Sequence, residues 1–252
     1  MSKKALLFGG IGTLLECSEL QRDAFNLAFA EAGLDWCWER EDYRSMLAVP
    51  GGTKRILRYA AAVGAVGAAD VDEAVAANLH AAKTRYFHER LRKGGLSPRT
   101  GVSRLIDEAR GSGISLGYAT TTDAETAVLV LESVGIAPSW FDAICHRDLV
   151  AEAKPSPAVY RYCLEAMGVD ATSAIAIEDS ESGLQAATAA GIACVVTPGE
   201  NTGYQRFEGA ALVLDGLGDL ALPGDQVAAG TSGEDRVFSL ASWFASVGEH
   251  AA

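Results

Sequence analysis

The strongest constraint in this chain is an alternation of short apolar runs with stretches of helical periodicity. The runs fall at residues 4–8, 114–119, 143–145, 174–178 and 192–197, and the helical stretches at about 101–112, 123–134, 156–168 and 181–190. A short apolar run without polar alternation suits a strand buried on both faces. Strands of that kind separated by helices are joined by crossovers and lie parallel, with helices covering the sheet. The expected fold class is therefore α/β, with a Rossmann-like parallel sheet. Ligands of such sheets bind beyond the carboxyl ends of the strands, so the residues that close each strand carry the functional information.

The alternation fails between Ser18 and Gly94, where the pattern is helical almost throughout. Ala24, Phe25, Leu27, Ala28 and Phe29 give one apolar face, and Val71 to Leu91 a long amphipathic run. This reads as an α-helical cap inserted after the first strand, and an insertion at a strand end is suited to act as a lid. The expected organisation is a core of residues 1–17 and 95–222 and a cap of residues 18–94. A C-terminal extension of residues 223–252 follows, with one helix from Arg236 to Val247.

Acidic residues outnumber basic ones, 33 to 21, and the net charge of −12 argues against a nucleic-acid partner. The five cysteines are scattered and odd in number, with no Cys-x-x-Cys pair, so neither a disulfide framework nor a zinc site fits. His80, His88, His146 and His250 lack ligand spacing with one another. The apolar run Ala5 to Phe8 is too short for a signal peptide or a membrane span, and no other segment is long and apolar enough. The expected location is the cytoplasm, without a membrane partner.

Four strand endings stand out in chain order. The first is Phe8-Gly9-Gly10-Ile11-Gly12-Thr13-Leu14 and the second Ala119-Thr120-Thr121-Thr122-Asp123. Lys154-Pro155-Ser156-Pro157 follows, and then Ile177-Glu178-Asp179-Ser180 with Gly183 close behind. Together they offer backbone amides, hydroxyls, a cation and paired carboxylates, the parts that hold a phosphate group beside a magnesium ion. Each alone has a plainer reading: a turn at Gly12-Thr13, a helix cap at Thr120 to Thr122, a solvated lysine at Lys154, an N-cap cluster at Glu178 to Ser180.

These endings resemble those of the haloacid dehalogenase superfamily, and within it the CbbY and β-phosphoglucomutase-like sugar-phosphate enzymes with a helical cap. The resemblance runs from about Lys3 to about Leu222 and includes Glu19-Leu20-Gln21-Arg22-Asp23-Ala24-Phe25-Asn26 and Ala32-Gly33-Leu34-Asp35-Trp36. It implies a magnesium-dependent phosphatase or phosphomutase. Phosphate would be held by Gly12, Thr13, Thr120, Thr121 and Lys154, and metal by Glu178 and Asp179. Glu16, Gln21, Tyr43, Lys54 and Arg55 would be the substrate contacts associated with the cap. Trp36 and Trp38 read as cap core rather than a ligand platform.

The family's first motif is Asp-x-Asp-Gly-Thr, whose first Asp attacks phosphorus and whose second is the acid and base. Aligned on Gly12-Thr13-Leu14, the attacking position is Gly9 and the acid/base position Ile11. Neither side chain can attack or carry a proton, and the metal loses a ligand. Gln21 stands where many relatives carry His, and Gly51-Gly52-Thr53 where they carry Gly-Gly-Lys. The expectation is a phosphate-binding member that is inactive or strongly impaired, with magnesium weakly bound or absent. Two alternatives remain: a slow hydrolase using metal-bound water or a rescue nucleophile (Glu16, Cys17 or Asp23), and an inactive scaffold or regulatory subunit.

Overall fold

The computed structural model describes residues 3–47, 49, 51–63, 71–218 and 238–249. The expected core boundary at 222, the start of the last helix at Arg236, and His250 lie outside them. The chain divides into two compact units, one built from the chain up to Glu16 together with Gly95 onward, the other spanning Cys17–Gly94.

The first unit is a six-stranded parallel sheet in the order β3-β2-β1-β4-β5-β6. Its strands are β1 (Ala5–Phe8), β2 (Ser115–Ala119), β3 (Ala143–Cys145), β4 (Ala174–Glu178), β5 (Ala193–Val196) and β6 (Leu212–Val213). β1, β2 and β4 are buried along their whole length, which explains their unbroken apolar sequences. β6 was not expected, since two residues are too few to show periodicity. β1 lies between β2 and β4, with Phe8 paired to both Tyr118 and Ile177. The chain leaves β1 to one side for β2 and β3, then crosses to the other for β4. The ends of β1 and β4 therefore flank the topological switch point, where a crevice opens for ligands.

Helices α5 (Val102–Gly111), α6 (Ala124–Ser133), α7 (Ala158–Met167) and α8 (Glu181–Ala189) alternate with the strands, and α9 (Leu240–Glu249) closes the unit. Arg104 donates to the carbonyls of Leu217, Gly218 and Phe238, and Ser239 to Glu108, so the last helix is pinned to α5. Among the described residues no helix is long and apolar enough to cross a membrane, and none of the five cysteines is in a disulfide.

The second unit is helical: α1 (Ser18–Glu31), α2 (Arg40–Met46), α3 (Gly52–Val63) and α4 (Glu73–Arg92). Its core gathers Phe25, Phe29, Trp36, Trp38, Tyr43 and Ile56. Leu27, expected on the apolar face of α1, is 50% exposed. At about 100° per residue it falls well away from the stripe set by Ala24, Phe25, Ala28 and Phe29. Asn26 clamps the segment after α1, accepting from Trp38 N–H at 2.8 Å and donating to Trp38 C=O at 3.0 Å. Tyr43, expected as a substrate contact, is packed among these rings at 3% exposure.

Candidate functional site

The loop leaving β1 is a tight turn whose shape depends on Gly12. Its φ is +92°, and a Cβ there would lie 2.2 Å from Asp179 Oδ2, so only glycine fits. The turn satisfies its own later amides: Gly12 N–H donates to Leu15 C=O, and Thr13 and Leu14 N–H both donate to Gly10 C=O. The Thr13 hydroxyl donates to Asp179 Oδ1 at 2.9 Å, and Thr13 is buried. The expectation that Gly12 and Thr13 hold an anion directly is therefore corrected: they shape the loop and brace Asp179. Among the described residues no acceptor is seen for the N–H groups of Gly10 and Ile11, which sequence reasoning had passed over, nor for that of Thr121.

β2 delivers Thr120 beside this loop; a Cβ on Gly10 would lie 2.5 Å from Thr120 Oγ1. The Thr120 hydroxyl pairs with that of Thr122 at 3.0 Å and accepts from Thr122 N–H. The threonines do not cap α6. Asp123 does, accepting from Thr126 N–H at 2.8 Å, while Asp148 accepts from Ala124 N–H. At α8 only Ser180 caps, accepting from Gly183 N–H. Glu178 and Asp179 are thus left outside any capping role.

Lys154 and Glu178 form the buried ion pair of the site, with side chains 9% and 2% exposed. Lys154 Nζ also donates to Ala119 C=O at 2.9 Å, which fixes it over the end of β2. The same Glu178 oxygen accepts from the Tyr160 hydroxyl. Burial, and then the charge of Glu178, push the Tyr160 phenol well above its ordinary value, which keeps it a donor. Asp179 is raised from 3.8 to about 7, first by burial and then by Glu178; Thr13, Arg99 and Lys154 pull the other way without prevailing.

Arg99 is a second cation that sequence reasoning missed. Its guanidinium donates to the carbonyls of Gly12, Thr197 and Pro198, tying the β1 loop to the loop after β5. Burial lowers its pKa, against the opposing charges of Asp179 and Glu16. Nothing in Ser97-Pro98-Arg99-Thr100 distinguishes it from a surface arginine. Behind this loop lies a cavity of about 240 Å³ lined by Thr13, Glu16, Arg99, Thr197 and Asp215. Glu16, grouped with the cap contacts in sequence, belongs to the core unit, where its carboxylate accepts from Glu200 N–H at 3.2 Å.

In the helical unit Gln21 is joined by Lys83, also missed, which donates to its Oε1 at 2.8 Å and lies over the rings of Phe25 and Phe87. Lys83 is 6% exposed. Arg55 donates from Nε to Val49 C=O, and burial lowers its pKa. Lys54 is exposed. His80 crowds the start of α3, where a Cβ on Gly52 would lie 2.0 Å from its ring.

The donor set suits one class of ligand. Open amides at Gly10, Ile11 and Thr121 beside a lysine ammonium match the oxygens of an anion. Glu178 and Asp179 are adjacent hard oxygen donors, and burial holds Asp179 up at about 7 despite the nearby charges of Arg99 and Lys154. Among the described residues no cluster of three His, Cys, Asp or Glu side chains is arranged to hold a metal. Two carboxylates completed by a phosphate and water are the usual complement of magnesium.

The chain matches the haloacid dehalogenase-like hydrolase family over residues 12–197. It is 44% identical over 225 residues to the plasmid-encoded CbbY protein of Cupriavidus necator, covering 87% of this chain and 88% of that protein. It is 40% identical over 219 residues to CbbY of Cereibacter sphaeroides, covering 86% and 94%. CbbY of Rhodobacter sphaeroides in complex with phosphate superposes with a TM-score of 0.78 at 40% identity, covering 87% of this chain and 96% of that one. An Asp-to-Asn variant of that protein holding xylulose-(1,5)-bisphosphate superposes with a TM-score of 0.77 at 41% identity, covering 87% and 98%. The β-phosphoglucomutase of Clostridium difficile, at 19% identity and a TM-score of 0.69 over 85% and 91% of the chains, shares the fold. With Gly10, Thr120, Lys154 and Glu178 gathered at the ends of a parallel sheet and relatives matched over most of their length, the chain belongs to the haloacid dehalogenase-like hydrolase family, on its CbbY branch.

Proposed function

We infer that this chain binds phosphate or a phosphorylated small molecule at the ends of β1, β2 and β4 and does not turn it over. The observation that carries the reading is the combination of open anion donors with glycine and isoleucine at positions 9 and 11. Gly10, Ile11 and Thr121 offer N–H groups and Lys154 a charge, yet neither residue 9 nor residue 11 carries a carboxylate to serve as phosphoryl acceptor or proton carrier. Loss of general acid–base help alone removes a factor of about 10²–10⁴, and loss of the nucleophile removes the covalent route. Two of the rescue candidates are otherwise placed: the Glu16 carboxylate accepts from Glu200 N–H in the loop after β5, and Cys17 is buried.

The class of ligand follows from the relatives. Solved CbbY structures hold phosphate and a sugar bisphosphate, so sugar phosphates are the first candidates here. Magnesium, held by Glu178 and Asp179, would neutralise phosphate charge; with only two carboxylates, weak affinity is expected.

The test runs phosphate release from a panel of sugar phosphates with magnesium, comparing the chain with its Gly9→Asp, Ile11→Asp variant. Calorimetry with the same compounds accompanies it. Binding without turnover, and turnover only in the variant, is the expected result. Turnover by the unsubstituted chain that disappears in Lys154→Ala refutes the reading.

A further inference from the structure

The ammonium of Lys154 has three hydrogens, and two are engaged, by Ala119 C=O and by Glu178 Oε1. Glu178 does more than pair with the lysine. A Cβ built on Gly9 would lie 2.7 Å from Glu178 Oε2 and 2.6 Å from Thr13 Oγ1. The carboxylate therefore reaches into the space that any side chain at position 9 would claim, and Tyr160 holds it there through Oε1. The anion site already contains an anion.

An incoming phosphate meets that charge at short range in a buried setting, where Coulomb interactions are weakly screened. It also competes with Glu178 for Lys154. Two changes remove the competitor. A divalent cation can draw Glu178 toward Asp179, since both present hard oxygens to the same place in the chain, or the charge on Glu178 can be deleted. Either leaves Lys154 free to donate to phosphate.

Resting on the phosphate-binding reading, we propose that Glu178 is the specificity-determining residue of this site. Bonded to Lys154, it makes the site select a phosphate that arrives with a divalent cation over the same phosphate alone. The coupling is reciprocal: whatever factor magnesium adds to phosphate affinity, phosphate adds to magnesium affinity.

Calorimetric titration with inorganic phosphate tests this in four forms: the unsubstituted chain, Glu178→Gln, Tyr160→Phe and Lys154→Ala, each in chelator and in saturating magnesium. The unsubstituted chain is expected to bind phosphate about tenfold tighter with magnesium, within the range common for coupled sites. The decisive arm is the chelator arm. There Glu178→Gln is expected to bind phosphate about tenfold tighter than the unsubstituted chain, and Tyr160→Phe, which only loosens Glu178, by a smaller factor. Glu178→Gln or Tyr160→Phe binding no tighter than the unsubstituted chain in chelator overturns the proposal, even if magnesium helps by bridging. Phosphate binding by the unsubstituted chain that is the same in both arms overturns it too, while leaving the phosphate-binding reading intact. No heat in any form, with Lys154→Ala indistinguishable, sinks both.

Discussion

Asp179→Asn should stabilise this protein, and by an amount that depends on pH. Asp179 is buried and raised from 3.8 to about 7, so its charged form is disfavoured in the folded state. A group whose folded value exceeds its unfolded value takes up protons on folding, so its contribution is fully present below about pH 4 and is lost as pH rises toward 7. The separation of about three pH units corresponds to about 4 kcal/mol lost above pH 7. Of this, about 2–3 kcal/mol falls between pH 5 and pH 8. Asparagine keeps an oxygen for the Thr13 hydroxyl, which now donates at 2.9 Å, but brings an amide that needs an acceptor, costing about 1–2 kcal/mol. The net gain at pH 8 should be about 2–3 kcal/mol. Urea denaturation in chelator at both pH values measures it. The gap between variant and unsubstituted chain should widen by about 2–3 kcal/mol from pH 5 to pH 8. A gap that is constant with pH, or a variant less stable at pH 8, refutes the reasoning that burial dominates at Asp179.

Other substitutions probe the scaffold. Gly12→Ala forces a side chain into a left-handed position and against Asp179; it should cost about 2–4 kcal/mol in urea denaturation, and unchanged stability would show the turn to be more adaptable than its geometry implies. Lys154→Ala leaves the Glu178 carboxylate buried with Tyr160 as its remaining side-chain donor, so a loss of about 3–5 kcal/mol is expected, and a change below about 1 kcal/mol would mean the pair contributes little. Asn26→Ala removes both bonds of the clamp on Trp38; a loss of about 1–3 kcal/mol should appear in the fluorescence-monitored unfolding of the helical unit, and no loss would assign the clamp to packing alone.

Strand positions were readable because they rest on local composition. The expected runs at 143–145 and 174–178 coincide with β3 and β4, those at 4–8 and 114–119 differ from β1 and β2 by one residue at the start, and that at 192–197 from β5 by one residue at each end. β6 escaped because Leu212 and Val213 carry no pattern of their own; their pairing with Val195 and Val196 defines them. Leu27 shows the limit on a helix: an apolar residue beside a stripe is not thereby on it. Lys83 and Arg99 were missed for a related reason. A long basic side chain reads as solvated until the fold surrounds it, here with Phe25 and Phe87 in one case and three carbonyls in the other.

The amino-acid order alone determined the parallel α/β architecture, the helical insertion and the family, because burial pattern and motif spacing are properties of neighbouring residues. It also places Gly9 and Ile11, neither of which carries a carboxylate, directly after the first strand. Tertiary structure decided what the remaining groups do. Only the folded chain turns the Gly12 and Thr13 amides inward, sets Thr13 against Asp179, lifts Asp179 to about 7 and closes Glu178 onto Lys154. Thr13 and Asp179 lie 166 residues apart in the chain, and Lys154 and Glu178 lie 24 apart. Charge, desolvation and competition for a hydrogen bond act through space over a few ångströms, and no local pattern in the sequence encodes such distances.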